Sequence, residues 1–372
     1  MAVVGPYKYV LENARVRPDE PGVVFGPNVM TFAQVHDMAS RIGTVMRLKG
    51  LKPGQTALIL TGHQLRDYLF TLAVMHEGAI SASQVGPNYN PNYSADIAFL
   101  AAPVQGFDES KVVKIDPDFQ SLAESVEPLD AISFDVEDPI FRLAQTSGTT
   151  GHPKVIECTF EKLCEMNEGV KDEQPPKTLC LLPFSILIGA FIPLYAIREG
   201  FAGFLSARSV TEDKKMIAHY GIESILASPS QVAELYEDES IPGFDSKLKM
   251  ILCGGAVIPR QLVTLVRQKS SAILRNRYGS TEAGIHSGCE VSLVDGPGLM
   301  GHPYKDTRVR IVDENFEELP AGEIGKIGIH TPPMATRYRN NPEATAKHFV
   351  DGYFYSGDEG YIDEQGRIFI AG

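Results

Sequence analysis

The stretch TSGTTGHPK, residues 146–154, combines small hydroxylated residues and glycines with one lysine at its end. Glycines let a turn bring backbone N–H groups close to an anion, hydroxyls add donors, and Lys154 supplies a mobile positive charge. The preceding run, residues 140–145, is predicted to be a strand that holds the loop in place. The stretch therefore predicts a phosphate-binding loop, and an ordinary surface turn is the alternative.

The loop differs from the common nucleotide-binding pattern, in which a glycine is followed after four residues by Gly-Lys and then Ser or Thr. Here Pro153 precedes the lysine, and no helix start follows it at once. A different phosphate-binding family is therefore indicated.

The composition argues against several classes of function. With 372 residues, of which 43% are hydrophobic and 22% charged, the chain is long enough for two or three well-cored units. A formal charge of −13 argues against nucleic acid or an anionic membrane as the main partner. The five cysteines lack a Cys-x-x-Cys spacing and the N-terminus lacks a signal-peptide pattern, which predicts a cytoplasmic protein. The nine histidines form no i, i+4 pair, so no zinc site is predicted.

The segment from Thr178 to Ile197 contains no charged residue and is long enough to suggest a membrane span. Pro183 and Pro193 lie inside it, however, and the pattern around them favours a buried strand followed by a separate apolar helix. Stable membrane insertion is therefore not expected.

Apolar strand-like runs alternate with helical patterns along most of the chain, which is typical of an α/β fold with mainly parallel sheets. Thr31 is predicted to cap a helix that ends near Lys49. Two stacked α/β subdomains are expected within residues 1–297, and a small β-rich subdomain, a distorted barrel, over residues 298–372. The other predicted elements are strands 56–60, 79–82, 179–182, 201–205, 223–227, 249–252 and 272–275, and helices 64–77, 186–198, 211–220, 230–237 and 259–268.

The strand predicted to end near Cys253 is followed by Gly254, Gly255 and Ala256, and then by a proline suited to a helix start. Because large side chains are absent there, a flat purine base could approach the carboxyl end of the strand, where α/β sheets place ligands. The alternative is a plain strand-to-helix turn that binds nothing.

The run from Asn276 to Gly284 is again a strand-like segment followed by glycine, and it also carries polar and aromatic side chains that can bind a ligand. Tyr278 offers an aromatic face for a base, and Asn276 offers an amide that matches the edge of adenine. Thr281 can donate a hydrogen bond to a phosphate, and Glu282 can bind Mg2+, which prefers oxygen ligands. The alternative for Glu282 is a solvated carboxylate at the start of a helix.

Asp358 follows a glycine within residues 353–360 and is predicted to lie in a turn between strands of the β-rich part. Its carboxylate can accept hydrogen bonds from both hydroxyls of a ribose. An ordinary Gly-Asp turn is the alternative.

In this order, the loop 146–154, the Gly-Gly-Ala turn 254–256, the Tyr-Gly-Ser-Thr-Glu run 278–282 and the Ser-Gly-Asp turn 356–358 resemble the motifs of the adenylate-forming superfamily. That superfamily includes acyl-CoA synthetases, peptide-synthetase adenylation domains and beetle luciferases. The resemblance implies an acid–thiol ligase that joins a carboxylic acid to AMP with loss of pyrophosphate, and then passes the acyl group to a thiol. The implied cofactors are ATP, Mg2+ and coenzyme A.

The resemblance also implies roles for individual residues. Lys154, Thr281 and Glu282 are the implied catalytic residues, and Glu282 is the implied Mg2+ ligand. The other residues implied to bind ATP or AMP are Thr146, Ser147, Gly148, Thr149, Thr150, Gly151, Gly255, Ala256, Asn276, Tyr278, Gly279, Ser280 and Asp358. The residues assigned to the acid substrate are Ser185, Ile186, Leu187, Gly254 and Gly284.

The segment around Ser185 departs from the superfamily's pattern, because Ser185 and Ile186 stand where many acyl-CoA synthetases have an aromatic residue and a histidine. The absence of an acidic residue there disfavours an amino-acid substrate. Ile186, Leu187 and Ile188 favour an apolar or ring-bearing acid, since binding one removes hydrophobic surface from water. The alternative is that all three residues belong to the core.

The chain ends at Gly372, where members of the superfamily usually continue into a small domain that carries a further lysine. We therefore expect a shortened form of a larger enzyme that binds ATP or acyl-AMP but adenylates slowly or not at all. Two alternatives stay open: a non-catalytic nucleotide-binding or scaffold module, and an adenylation domain that loads a carrier-protein thiol. A homodimer also stays open.

Overall fold

The chain forms two compact units, each with helices and β-strands. The first unit comprises Met1–Cys164 and Pro183–Ala207, and the second comprises Glu165–Leu182 and Arg208–Gly372. The predicted α/β class is confirmed. The computed structural model describes residues 5–133, 138–146, 153–168, 170, 175–293 and 298–371.

The helices and strands follow most of the predicted elements in order. The helices are α1 Lys8–Val16, α2 Phe32–Leu48, α3 Gln64–His76, α4 Pro117–Ser125, α5 Phe160–Glu168, α6 Leu187–Glu199, α7 Val210–Tyr220, α8 Pro229–Glu237, α9 Arg260–Lys269 and α10 Pro342–His348. The strands are β1 Pro21–Phe25, β2 Asn28–Thr31, β3 Thr56–Leu60, β4 Ile80–Ser83, β5 Ile97–Leu100, β6 Val112–Lys114, β7 Ile140–Gln145, β8 Val155–Thr159, β9 Thr178–Cys180, β10 Gly203–Leu205, β11 Ser224–Ala227, β12 Met250–Gly254, β13 Ile273–Ser280, β14 Gly284–Glu290, β15 Leu299–Pro303, β16 Arg308–Val312, β17 Gly325–His330, β18 Phe349–Val350, β19 Tyr353–Ile362 and β20 Ile368–Ile370.

The first unit contains a sheet with the strand order β6-β5-β3-β4-β7-β8. Its strands are parallel except β8, which returns antiparallel to β7. The central strands are almost continuously apolar and buried, as expected for parallel strands covered on both faces. Leu58 of β3, Leu143 of β7 and Val155 of β8 belong to one buried cluster, which packs the hairpin of β7 and β8 against the sheet. That hairpin carries the predicted phosphate-binding loop.

The sheet of the second unit changes from parallel to antiparallel along its width. β9, β11, β12 and β13 are parallel, and the order then continues antiparallel through β14, β15, β20, β19, β17 and β16. The short strands predicted from residue 298 onwards are therefore part of this sheet, while the boundary before that residue stays a prediction. The predicted strand 272–275 is too short, because residues through Ser280 pair with β14.

The apolar segment that suggested a membrane span divides as predicted into strand β9 and helix α6. α6 contains Pro193 and ends at Gly200, whose φ of 70° lies in the left-handed region. Among the helices in the described ranges, none is both long and apolar enough to cross a bilayer.

The start of α2 confirms the predicted cap. The Thr31 Oγ1 accepts a hydrogen bond from the Gln34 N–H at 3.3 Å, and the Gln34 Oε1 accepts one from the Thr31 N–H at 2.9 Å. This reciprocal arrangement pairs two backbone N–H groups that the first turn of a helix would otherwise leave to water.

Replacing Thr31 by alanine is expected to lower the free energy of unfolding by about 1 kcal/mol, because one half of the capping box is lost. Urea denaturation followed by circular dichroism measures this change. Thr31→Ser, which keeps the accepting hydroxyl, is the matched control and should stay close to the wild type. Equal losses in both variants would contradict a capping role for the Thr31 hydroxyl.

Candidate functional site

The base of the predicted phosphate-binding loop is well defined in the first unit. β7 and β8 pair antiparallel, and the Thr146 N–H donates to the Lys154 carbonyl oxygen at 2.9 Å. The Asn90 Nδ2 donates to the Pro153 carbonyl oxygen at 2.8 Å. The predicted strand before the loop is thus confirmed, and a second strand follows the loop. The predicted residues outside the described ranges are Ser147, Gly148, Thr149, Thr150 and Gly151.

Thr146 has the environment of a residue that can meet a polar ligand. It is 3% exposed, and within the described ranges its hydroxyl has no hydrogen-bond partner. A buried hydroxyl without a partner costs free energy, which a phosphate oxygen at the loop would recover. Lys154, at the other end of the loop, is half-buried. These two residues fit a phosphate group, and their contact with one stays a prediction.

Arg142 is a buried residue of the first unit that the sequence analysis missed. It lies on β7 and is fully buried. Its Nη2 donates to the Ser83 Oγ at 2.8 Å and to the Phe184 carbonyl oxygen at 2.9 Å, and its Nη1 donates to the Thr71 Oγ1 at 3.3 Å. Burial lowers the pKa of its guanidinium. The signal was present in the sequence, as one charged residue in an apolar strand that leads into the loop.

The contact between Arg142 and the Phe184 carbonyl fixes the turn that contains Ser185. Ser185 and Ile186 are half-buried, and Ile186 immediately precedes α6. Leu187, the first residue of α6, is 6% exposed and belongs to the core. The core interpretation therefore holds for Leu187, whereas Ile186 keeps accessible apolar surface. Binding of an acid at these residues stays a prediction.

In the second unit, β12 ends at Gly254 in register with Arg277 of β13. A Cβ atom on Gly254 would lie 2.8 Å from the Arg277 carbonyl oxygen, so the approach of the neighbouring backbone requires this glycine. Gly255 has a φ of 85° and no heavy atom within 4 Å of its Cβ position, and Ala256 is exposed. Only the second glycine and the alanine thus border open space that a base could occupy.

Asn276 lies on β13 and is almost completely buried. Its Nδ2 donates to the Leu299 carbonyl oxygen at 3.1 Å. Because this bond uses the amide nitrogen, the Oδ1 of the same side chain is oriented as an acceptor, which is the group that an adenine amino group requires. The geometry fits the predicted role of Asn276.

Tyr278 and Asp358 meet although they are 80 positions apart in the chain. The Tyr278 hydroxyl donates to the Asp358 Oδ2 at 2.6 Å, and the Ser356 Oγ donates to the same oxygen at 2.9 Å. Burial, and then the charge of Asp358, raises the pKa of the Tyr278 hydroxyl, which therefore stays protonated and acts as the donor. The other Asp358 oxygen, Oδ1, is not used in these two bonds.

The position of Asp358 differs from the prediction. It was expected in a turn between strands, but it lies within β19, which runs from Tyr353 to Ile362. The register of β17 against β19 shifts at this point, and Gly357 has a φ of 105°, so residues 356–358 form a bulge. A bulge re-aims a side chain without ending the strand, which explains how Asp358 reaches Tyr278.

Glu282 lies in the tight turn between β13 and β14, and the alternative of a solvated carboxylate at a helix start is wrong. Its side chain is 6% exposed, and its Oε1 accepts a hydrogen bond from the Tyr338 hydroxyl at 2.7 Å. Thr281, at the start of the same turn, is half-buried. Tyr338 lies in a polar and basic run ahead of Pro342, outside the motifs identified in the sequence.

The glycines that flank this turn are required by its close packing. A Cβ atom on Gly279 would lie 2.6 Å from the Gly284 carbonyl oxygen. Gly284 has a φ of 72°, and its own Cβ position is 3.0 Å from the Met166 Cγ. Ser280 supports the turn by accepting a hydrogen bond from the Ala283 N–H at 3.0 Å. These contacts account for the residue types at 279, 280 and 284 without any ligand.

Glu282 fits a magnesium ion that takes most of its other ligands from phosphate and water. Throughout the described ranges, no three His, Cys, Asp or Glu side chains converge on one point. Mg2+ is usually bound through one or two carboxylates and keeps several waters, so one carboxylate suffices. The role of Glu282 as that ligand stays a prediction.

His286, on β14, is a further buried neighbour of Tyr278. The two rings are T-shaped, with centroids 4.4 Å apart. Burial lowers the pKa of His286 to about 3, and in the described part of the chain its Nδ1 has no hydrogen-bond partner. The imidazole is therefore neutral at physiological pH and supports the Tyr278 ring by apolar contact.

This neutral histidine makes folding sensitive to acid. The unfolded chain binds the proton near pH 6.5 and the folded chain only near pH 3, so stability falls as the pH drops between these values. Relative to His286→Leu, the wild type is expected to lose about 2 kcal/mol of unfolding free energy between pH 7 and pH 5. Urea denaturation at both pH values measures this difference.

The matched control for His286→Leu is His302→Gln, because His302 is exposed. This control should leave the pH dependence of the wild type unchanged. A free-energy difference between the wild type and His286→Leu that stays constant from pH 7 to pH 5 would contradict the burial of a neutral imidazole.

The family model described as AMP-binding enzyme matches residues 10–339. A relative, 4-coumarate–CoA ligase 5 of Oryza sativa subsp. japonica, is 25% identical over 404 residues, which cover 98% of this chain and 75% of the relative.

Two solved structures share the fold. The inhibitor-bound N-terminal domain of FACL13 from Mycobacterium tuberculosis superposes with a TM-score of 0.85 at 20% identity, and each chain covers 100% of the other. O-succinylbenzoate coenzyme A synthetase (MenE) from Bacillus subtilis, in complex with ATP and magnesium ion, gives a TM-score of 0.83 at 20% identity over 97% of this chain and 78% of that chain. Because the family model spans most of the sequence, this chain belongs to the AMP-binding enzyme family, the adenylate-forming superfamily that includes acyl-CoA ligases.

Proposed function

We propose that this protein activates a hydrophobic carboxylic acid as acyl-AMP, with release of pyrophosphate, and transfers the acyl group to coenzyme A. The main support is the contact between Tyr278 and Asp358 at 2.6 Å. An aromatic face beside a fixed carboxylate matches the base and the sugar hydroxyls of a nucleotide. Asn276 adds an acceptor for the adenine amino group, and Gly255 and Ala256 border open space that a base could occupy.

In the same proposal, the turn after β13 binds the α-phosphate and the metal ion. The Thr281 hydroxyl donates a hydrogen bond to the α-phosphate, and Glu282 binds the metal ion. Magnesium, when bound, neutralises charge on the phosphate oxygens and on the departing pyrophosphate. This cation is needed because a carboxylate that attacks the α-phosphorus brings two anions together.

Lys154 and the loop of the first unit stabilise the outer phosphates in this proposal. The Thr146 hydroxyl, buried and without a partner in the described ranges, provides one donor at the base of the loop. Preorganised donors act strongly where water is excluded, so they favour the charge that grows on pyrophosphate. The hydrogen bonds from Asn90 and Tyr93 hold the two ends of this loop before any ligand binds.

The hydrophobic class of the acid is supported by Ile186, which keeps accessible apolar surface beside the core residue Leu187. Coenzyme A as the acceptor is supported by the relative named 4-coumarate–CoA ligase 5, whose name also specifies an aromatic acid. The free carboxylate of an acid is unreactive towards a thiol, and the mixed anhydride with AMP removes that barrier.

Lys154→Ala tests the assignment of the outer phosphates. The variant is expected to bind ATP about 10- to 100-fold more weakly, because it loses one charge-assisted hydrogen bond, while AMP affinity stays within about twofold. Isothermal titration calorimetry with ATP and with AMP measures both affinities. Lys111→Ala is the control, since Lys111 is exposed in the same unit. Equal losses for both nucleotides would refute the phosphate role of Lys154.

Acyl-sulfamoyl adenosines, stable analogues of acyl-AMP, test the substrate class. The octanoyl and cinnamoyl analogues are expected to bind at least about tenfold more tightly than the alanyl analogue, because they bury more apolar surface. Competition against a fluorescent AMP derivative measures the three affinities. Equal or tighter binding of the alanyl analogue would overturn the hydrophobic-acid assignment.

Release of pyrophosphate separates the enzyme from a nucleotide-binding module. The protein is mixed with ATP, Mg2+ and octanoic or cinnamic acid, and acid-dependent pyrophosphate is measured by a coupled colour reaction. Because slow adenylation is itself expected of this chain, absence of pyrophosphate release would favour the non-catalytic alternative only if the acyl-sulfamoyl adenosines also bind no more tightly than AMP.

A further inference from the structure

The carboxylate of Glu282 is held by a residue outside the motifs that the sequence singled out. The Tyr338 hydroxyl donates to the Glu282 Oε1 at 2.7 Å. Tyr338 is 3% exposed and Glu282 is 6% exposed, so water does not compete for this bond. A hydrogen bond from a neutral donor to a buried carboxylate is stronger than one between neutral groups.

Tyr338 is itself fixed by its neighbours. Its N–H donates to the Thr345 Oγ1 of α10 at 3.0 Å, and its ring packs T-shaped against Phe349 with centroids 5.2 Å apart. The His348 ring adds a second T-shaped contact at 5.9 Å. The phenol oxygen is therefore presented to Glu282 by a packed ring and a bonded main chain.

The segment that contains Tyr338 also forms hydrogen bonds with the main chain of the turn at Glu282. The Ala335 N–H donates to the Glu282 carbonyl oxygen at 2.8 Å, and the Thr331 Oγ1 donates to the Ala283 carbonyl oxygen at 2.8 Å. Residues 331–338 thus hold both the backbone and the side chain of this turn.

A donor on one carboxylate oxygen has a defined effect on metal binding. It fixes the rotation of the carboxylate and leaves the second oxygen as the ligand for a cation. Partners of this kind, which contact the ligand rather than the metal, commonly change metal affinity by about 10- to 100-fold when removed. Glu282 has such a partner in Tyr338.

We propose that Tyr338 is a positioning residue that orients the Glu282 carboxylate for a nucleotide-bound divalent cation. The inference rests on the proposed function, because it requires Glu282 to be the metal ligand. A purely structural role for Tyr338 is the competing explanation. The two differ in one respect: positioning affects cation affinity, whereas packing alone affects stability.

The test uses Mn2+ in place of Mg2+ and α,β-methylene-ATP as a nucleotide that is not cleaved at the α-phosphorus. Electron paramagnetic resonance of free Mn2+ gives the dissociation constant of the ion from the protein–nucleotide complex. Tyr338→Phe, which removes only the hydroxyl, is expected to weaken Mn2+ binding by about tenfold. AMP affinity without metal should stay within about twofold.

Tyr361→Phe is the matched control, since the Tyr361 ring stacks on Phe369 in the same unit. It should leave Mn2+ affinity unchanged. An Mn2+ affinity in Tyr338→Phe within about twofold of the wild type would overturn the inference, if Glu282→Gln weakens Mn2+ binding. If Glu282→Gln also binds Mn2+ like the wild type, the metal role in the proposed function fails, and the inference fails with it.

A second variant protects the test against loss of folding. Thr345→Val removes the acceptor of the Tyr338 N–H and is expected to weaken Mn2+ binding in the same direction by about two- to fivefold. Circular dichroism and thermal unfolding establish which variants are folded. If only Thr345→Val folds, an unchanged Mn2+ affinity in that variant overturns the inference.

Discussion

The hydrogen bond between Tyr278 and Asp358 places a strong constraint on the sheet of the second unit. In the strand order, β14, β15 and β20 separate β13 from β19, so a flat sheet would hold the two backbones about 19 Å apart. A side-chain contact of 2.6 Å requires the sheet to curve back on itself. The bulge at residues 356–358 supplies part of that bend. The candidate nucleotide site therefore depends on sheet curvature, and curvature depends on a few irregular backbone positions.

The glycines of the site show how one residue type can serve two purposes. At Gly254 and Gly279 the missing Cβ makes room for a neighbouring backbone oxygen, at 2.8 Å and 2.6 Å from the Cβ position. At Gly255 the same absence leaves open space. In the sequence, the three glycines look alike, and a ligand contact is implied for each of them. Only the neighbouring strands distinguish a glycine that packs from a glycine that admits a ligand.

The sequence predicted the α/β class and most element positions, because hydrophobic periodicity and helix caps are local features, while the residues around Tyr278 were assigned to a nucleotide only through the resemblance of their motifs. It did not predict the bulge at Asp358 or the bond from Tyr338 to Glu282. These features arise from strand register and from contacts between residues 56 or 80 positions apart, which no local pattern encodes. The alternative for Glu282 was wrong for the same reason, since pairing with β14 extends β13 beyond its expected end.

Arg142 holds the turn before α6 through the carbonyl oxygen of Phe184, and its guanidinium lies over the Phe184 ring, 5.3 Å from the ring centroid. Burying a cation costs free energy unless its hydrogen bonds are made, so breaking the bond from Arg142 to the Phe184 carbonyl oxygen would be strongly destabilising. This main-chain hydrogen bond does not depend on which side chains stand at Ser185 and Ile186. Substitutions at these two positions are therefore expected to leave the path of the main chain unchanged. The turn thus combines a fixed main-chain path with side chains that are free to vary, which makes it a suitable place for a substitution library.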